Sequence, residues 1–239
     1  MRQSVWQTGM GLLLLFVVTL LSWHTGSLAA QGFGQMREEP KKRPVVVLDA
    51  GHGGKDPGKV GVDGQLEKDI NLDIVKRLKY YLEASDVEVV LTRDGDKGLY
   101  SAGDSKKKMA DMKKRCEIIE EANPDLVVSI HQNSYPDSDV SGGQVFYYNA
   151  SEKGKLLAEI LQRRFDYVLG GENRRQAKAN GNYYLLLHVK EPIVIVECGF
   201  LSNAREAKRL AQEAYQDRLA WSLHMGIMEY LNEEGNADL

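Results

Sequence analysis

The stretch "VVVLDAGHGGKDPG", residues 45–58, decides how this chain is read. Four apolar residues, Val45 to Leu48, run into Asp49, and a histidine then stands among glycines. A short unbroken apolar run bounded by turn residues is the pattern of a strand buried on both faces. Glycine opens backbone conformations that a Cβ forbids, so a tight loop follows the strand. Neither strand nor turn accounts for His52, and the segment therefore asks what that imidazole does.

Working outward, strands and helices alternate. Leu66, Ile70, Ile74, Leu78 and Leu82 recur every four residues and predict a helix. "VEVVLTR", 87–93, reads as a second strand. A helix with Met109, Met112, Cys116 and Ile119 on one face follows and stops at Asn123-Pro124. "DLVVSIHQN" (125–133), "GQVFYY" (143–148) and "PIVIVECGF" (192–200) read as the third, fourth and fifth strands. Ser151 is placed to cap a helix bearing Leu157, Ile160, Leu161 and Phe165. Asn203 with Glu206 has the form of a capping box, and helices continue to about Glu233. Alternation of this kind predicts one α/β domain over 44–235, a mostly parallel twisted sheet covered by helices on both faces.

The totals agree with a packed domain: 239 residues, 43% apolar and 27% charged. Lys and Arg number 31 against 34 Asp and Glu, a formal charge of -3, which offers no general attraction to nucleic acid. The basic runs Lys106–Lys108 and Lys113–Arg115 read as a solvated helix face. Cys116 and Cys198 read as small buried hydrophobes, so any metal here uses histidine and carboxylate. Residues 1–30 carry the apolar run "MGLLLLFVVTLLSW" followed by small residues, the form of a signal peptide or of an N-terminal membrane anchor. Residues 31–43 are polar and aperiodic, a linker. Export across the cytoplasmic membrane is expected, with membrane association if the leader is retained.

In open parallel sheets, ligands gather beyond the carboxyl ends of the strands. His52 follows the first strand, His131 follows Ile130, Glu197 closes "IVIVE", and Glu67 opens the helix fed by the glycine loop. Singly, each has a plain reading: His131 as a hydrogen-bonded core histidine, Glu67 as a helix-dipole partner worth about 0.3 to 1 kcal/mol. A carboxylate ending a buried apolar run is harder to dismiss, since its desolvation needs a partner. Together the four supply a metal site. His52, Glu67 and His131 form a His₂Glu set for one Zn²⁺ per chain, with the fourth position left to water. Other divalent ions tolerate the same donors. Glu197 is then free to act as general base, and the glycines let the loop fold His52 back over the strand ends. Arg93 and Asn133 are candidate substrate contacts, against plainer roles in ion pairing and loop fixing. His188 and His224 read as structural or exposed.

"VVLDAGHGGKDPG", the Glu of "LEKDINL", "LTRDGD", "VVSIHQN" and "IVIVECGFLSN" resemble, in order, the motifs of the zinc-dependent N-acetylmuramoyl-L-alanine amidases of the amidase-3 family. The resemblance covers about 44–233 and implies His52, Glu67 and His131 as metal ligands with Glu197 catalytic. It implies peptidoglycan as substrate and cleavage of the amide joining muramic acid to L-alanine of the stem peptide. A leader joined to a bare catalytic domain looks most like the sporulation members of the family. Their role is to strip stem peptides from cortex peptidoglycan so that muramic-δ-lactam forms, in the cell wall or the space around the developing spore. General autolysins share the motifs. A wall-binding protein without activity, or a zinc hydrolase cutting within the stem, are the rival readings.

Overall fold

The structure is a computed structural model describing residues 10, 13–24, 43–169 and 173–237. The chain divides into two units, Met1–Lys42 and Arg43–Leu239. Of the first, the described residues are helical and exposed, and no described helix is long and apolar enough to cross a membrane. The rest of the leader, and the linker up to Lys42, lie outside the described residues.

The second unit is an α/β domain built on β1 (Val45–Ala50), α1 (Glu67–Ala84), β2 (Glu88–Leu91), α2 (Lys107–Ala122), β3 (Leu126–Asn133), β4 (Gln144–Tyr147), α3 (Glu152–Leu169), β5 (Lys178–Ala179), α4 (Tyr184–His188), β6 (Ile193–Phe200), α5 (Ala204–Leu210) and α6 (Glu213–Ala237). The six strands form one sheet in the order β2-β1-β3-β6-β4-β5. All neighbours are parallel except β4 and β6, which are antiparallel. The two-residue β5 and five-residue α4 are absent from the sequence reading, because neither is long enough to display a period.

Side chains alternate across a strand, and that alternation divides the core. Val46, Leu48, Val128, Ile130, Val194 and Val196 pack against α1, α3 and α6 in the larger cluster. Val47, Val127, Ile193 and Ile195 join Ile119 of α2 and Leu185 and Leu186 of α4 in a smaller one. The expected caps form. Ser151 Oγ accepts from Gly154 N at 3.0 Å, and Asn203 Oδ1 accepts from Glu206 N at 3.1 Å. The Glu206 carboxylate does not return to Asn203, however; it accepts from Gly142 N and Phe200 N, so only half a capping box is present.

Asp49 shares the parity of Val47 and so faces α2, where it is fully buried. Arg115 of α2 meets it in an ion pair, and Thr92 and Ser129 donate hydroxyls to it at 2.6 and 2.5 Å. Burial alone pushes this carboxyl up; the guanidinium and the two hydroxyls more than offset that and hold it at about 2, against an ordinary 3.8. A depressed carboxyl stabilises the fold above its unfolded pKa, and that contribution, about 2 kcal/mol, is lost as pH falls through the folded value. Urea unfolding of wild type and Asp49→Asn at pH 6 and pH 2 checks this: the wild type loses about 2 kcal/mol more than the variant over that range. Equal losses in the two proteins refute it.

Candidate metal centre and catalytic cleft

The loop after β1 is built to deliver His52. Gly51 N donates to Ile130 O at 3.1 Å, tying the loop's start to β3. His52 itself takes a left-handed backbone, φ 63°, and Gly53 and Gly54 continue at 138° and 61°. Gly51 has a different role from turning the chain. A Cβ there would lie 2.2 Å from the His131 ring, so its bare backbone is the seat for that imidazole. At Gly58, φ 68°, a Cβ would meet Glu67 Oε2 at 2.5 Å and His52 Cδ2 at 2.7 Å.

Two buried arginines brace this loop from beneath. Arg115 donates to the carbonyls of Ala50 and His52 at 2.8 and 2.6 Å. Arg93 donates to the carbonyls of Ala50, Gly51, Lys68 and Gly95, at 2.7 to 3.1 Å. Arg93, a candidate substrate contact from sequence, is 2% exposed, does not line the cleft and commits its donors to backbone. Asn133 does line the cleft, with its Oδ1 accepting from Ser134 N at 2.8 Å.

Glu67, 2% exposed at the first position of α1, gathers the donors. Its Oε1 lies 3.2 Å from His52 Nε2 and 3.0 Å from His131 Nδ1. One ligand atom from each of the three residues falls within 4.8 Å of the others. The amides of Lys59 and Gln132 donate to the same carboxylate at 2.7 and 3.1 Å. His52 Nδ1 meets Asp56 Oδ2 at 3.0 Å, which orients the ring and leaves Nε2 facing Glu67. Such a partner on the far nitrogen is the usual support of a ligating histidine. Burial opposes ionisation of Glu67, but the two imidazoles overcome it and hold the carboxyl far below its ordinary range. Two nitrogens and a carboxylate oxygen, converging and braced in this way, fit a divalent metal.

Strand register supplies the fourth residue. His131 and Glu197 are paired across the parallel ladder of β3 and β6, and both share the parity of the smaller core face. The ladder shifts register between His131 and Asn133, an irregularity of the kind that re-aims side chains beside active sites. Glu197 is 7% exposed; Tyr183 Oη donates to its Oε1 at 3.4 Å, and its Oε2 has no hydrogen-bond partner. Burial, with Glu67 adding to it, raises this carboxyl above its ordinary value. Tyr183 was not singled out from sequence. Its position is set by Asn180, whose Oδ1 accepts from Asn182 N and Tyr183 N, and no periodicity marks it.

A cleft of about 910 Å³ opens over these groups, walled by the loop after β1, by α2, and by the segment Asn182–Leu185. That volume holds a ligand of several residues or sugars. Among the described residues, the helices that cover the smaller face are α2 and the short α4. The connection from Ser134 to Gly143 contains no helix.

Comparison with known proteins gives the same answer over the whole domain. The amidase-3 family model, described as N-acetylmuramoyl-L-alanine amidase, matches residues 46–229. The germination-specific N-acetylmuramoyl-L-alanine amidase of Bacillus subtilis (strain 168) is 35% identical over 200 residues, 82% of this chain and 84% of that protein. LytC of the same organism is 36% identical over 79% of this chain but only 36% of its own length. Among solved structures, the CwlD amidase from Clostridioides difficile in complex with the GerS lipoprotein superposes with a TM-score of 0.77 at 39% identity. That match covers 80% of this chain and 99% of that one. The catalytic domain of CwlV from Bacillus (Paenibacillus) polymyxa var. colistinus gives 0.70 at 34%, covering 79% and 98%. A chain matched by the family model over most of its length and by these relatives at such identity belongs to the amidase-3 family of N-acetylmuramoyl-L-alanine amidases, cell-wall enzymes that act on peptidoglycan outside the cytoplasm.

Proposed function

We propose that the metal is zinc, one ion per chain, held by His52, Glu67 and His131, and that Glu197 is the general base of stem-peptide release. Bound zinc lowers the pKa of a water and polarises the carbonyl that the water attacks. Asp56 fixes the tautomer of His52, and the Lys59 and Gln132 amides fix the Glu67 carboxylate. Glu197 takes the proton of the water that attacks the lactyl carbonyl, and passes it to the alanine nitrogen as the C–N bond breaks. The product carries a free muramoyl carboxyl and a peptide with a free alanine amine. Tyr183 donates to Glu197 without ionising, since burial and the neighbouring carboxylate push its hydroxyl up to about 12. The observation that carries this reading is Glu197 itself. It lies directly across the ladder from a ligand histidine, buried, with one oxygen unpartnered.

The cellular setting we infer is cortex maturation, with release of stem peptides ahead of muramic-δ-lactam formation. Similarity along most of the germination-specific amidase, against about a third of LytC, supports it. The leader is then an export signal or an anchor, and the GerS complex of the C. difficile relative supports a protein partner for this chain too.

Metal analysis of purified protein is expected to find about one zinc per chain, and less after Gly51→Ala, which crowds His131 from its seat. A folded sample without metal removes the site. Glu197→Gln keeps the zinc and loses hydrolysis by about 100-fold or more, since an amide accepts no proton; retained activity removes Glu197 from the mechanism. Mass spectrometry of digested sacculi is expected to show intact stem peptides with a free alanine amine. Shortened peptides still attached to muramic acid favour instead a peptidase cutting within the stem.

A further inference from the structure

Four lysine side chains around the cleft have no part in the mechanism above. Lys55 and Lys59 come from the loop after β1, Lys107 and Lys108 from the first turn of α2. Three lysines nearby are neutralised, Lys68 by Asp96, Lys97 by Asp94 and Lys114 by Glu117. The four at the cleft reach no carboxylate within ion-pair distance among the described residues. The acids beside them are already engaged, Asp56 with His52, and Asp49 and Asp111 with Arg115. Glu67 and Glu197 together balance a divalent ion. The mouth of the cleft is therefore positive in a chain whose net charge is -3, and a low-dielectric cleft focuses such a field.

Folding does not account for them. No acidic residue stands in the first turn of α2, and its N-cap Lys106 makes no side-chain cap. Cations at a helix N-terminus oppose the macrodipole by about 0.3 to 1 kcal/mol each. The backbone of Lys55 and Lys59 and the ammonium of Lys107 are nevertheless held in place. Lys59 N donates to Glu67 Oε2 at 2.7 Å while its carbonyl accepts from Glu67 N at 2.9 Å. Lys55 lies in a turn closed by reciprocal bonds between Gly53 and Asp56, at 3.0 and 3.2 Å. The Lys107 ammonium lies over the Tyr100 ring, 5.5 Å from its centre.

We propose that these lysines form a carboxylate subsite that selects stem peptides whose second residue bears a free carboxylate rather than a carboxamide. The inference rests on the amidase reading above and names the part of the substrate the site recognises. An extended chain advances about 3.5 Å per residue, so a carboxylate on the residue after alanine lies about 7 Å from the scissile amide. Lys59 lines the same cleft and is bonded through its backbone to Glu67. Binding a carboxamide there would leave the ammonium groups without a charged partner.

The test uses the full zinc-loaded chain and two soluble muramyl-peptide fragments that differ only in carboxylate or carboxamide at the second stem residue. Wild type is expected to favour the carboxylate fragment about tenfold in kcat/KM, with the difference in KM. Lys107→Gln with Lys108→Gln, and separately Lys55→Gln with Lys59→Gln, bring that ratio toward one. Lys113→Gln with Lys114→Gln, farther along α2, leave it in place. Equal values in wild type, a ratio that survives both cleft variants, or one erased by the Lys113 and Lys114 changes, each overturns the subsite. Calorimetry with the two stem peptides separates this from the reading it rests on. Preferential binding of the carboxylate peptide without cleavage of either fragment sinks the hydrolytic assignment and keeps the subsite; cleavage of both without preference does the reverse.

Discussion

One carboxylate joins the parts of this domain that matter. Glu67 begins a helix, yet its oxygens are contacted from the loop after β1, through His52 and the Lys59 amide, and from β3, through His131 and the Gln132 amide. A loop, the helix after it and a strand more than sixty residues on are held to a few ångströms by a single buried anion. An ionised carboxylate in that position is tolerated only because so many donors face it. The metal-binding geometry is therefore a property of the fold's own hydrogen bonding, and a cation entering it meets donors already aligned.

Beneath that centre the same logic recurs with opposite sign. Arg93 and Arg115 are among the largest fully buried side chains, and their donors go to backbone carbonyls of the loop and, for Arg115, to two carboxylates. Each holds carbonyls of the loop that would otherwise lack partners, and Arg115 is balanced by Asp49 and Asp111. Burying charge is expensive unless every donor is satisfied. Here it makes rigid a loop whose histidine occupies a backbone region most residues avoid.

Much of this was legible from residue order. The strands, the parallel sheet and the convergence of His52, Glu67, His131 and Glu197 follow from apolar period and from where strands end. What stayed hidden was whatever depends on side-chain direction. Arg93 closes a strand at the ligand edge, which is all that sequence shows; its reach back under the loop is a matter of three-dimensional path. Tyr183 and α4 have no period, and nothing in the sequence marks Asp56. Arg115 read as solvent-facing with the rest of its charge run, but it is 1% exposed and holds the loop from beneath, while Lys108 stays exposed as expected. The glycines were recognised as enabling, but Gly51 makes room for an imidazole eighty residues away in sequence, not for the turn.

The pairing of β3 with β6 also says how this enzyme can change over evolutionary time. Because neighbouring side chains along a strand point to opposite faces, sliding either strand by one position would turn His131 or Glu197 away from the cleft. Intermediate alignments do not exist. Insertions and deletions are therefore absorbed by connections such as Ser134–Gly143, while the two strands tolerate substitution but not a change in length. Diversity among such enzymes should accumulate at the cleft's rim, with the chemistry beneath it inherited whole or lost outright.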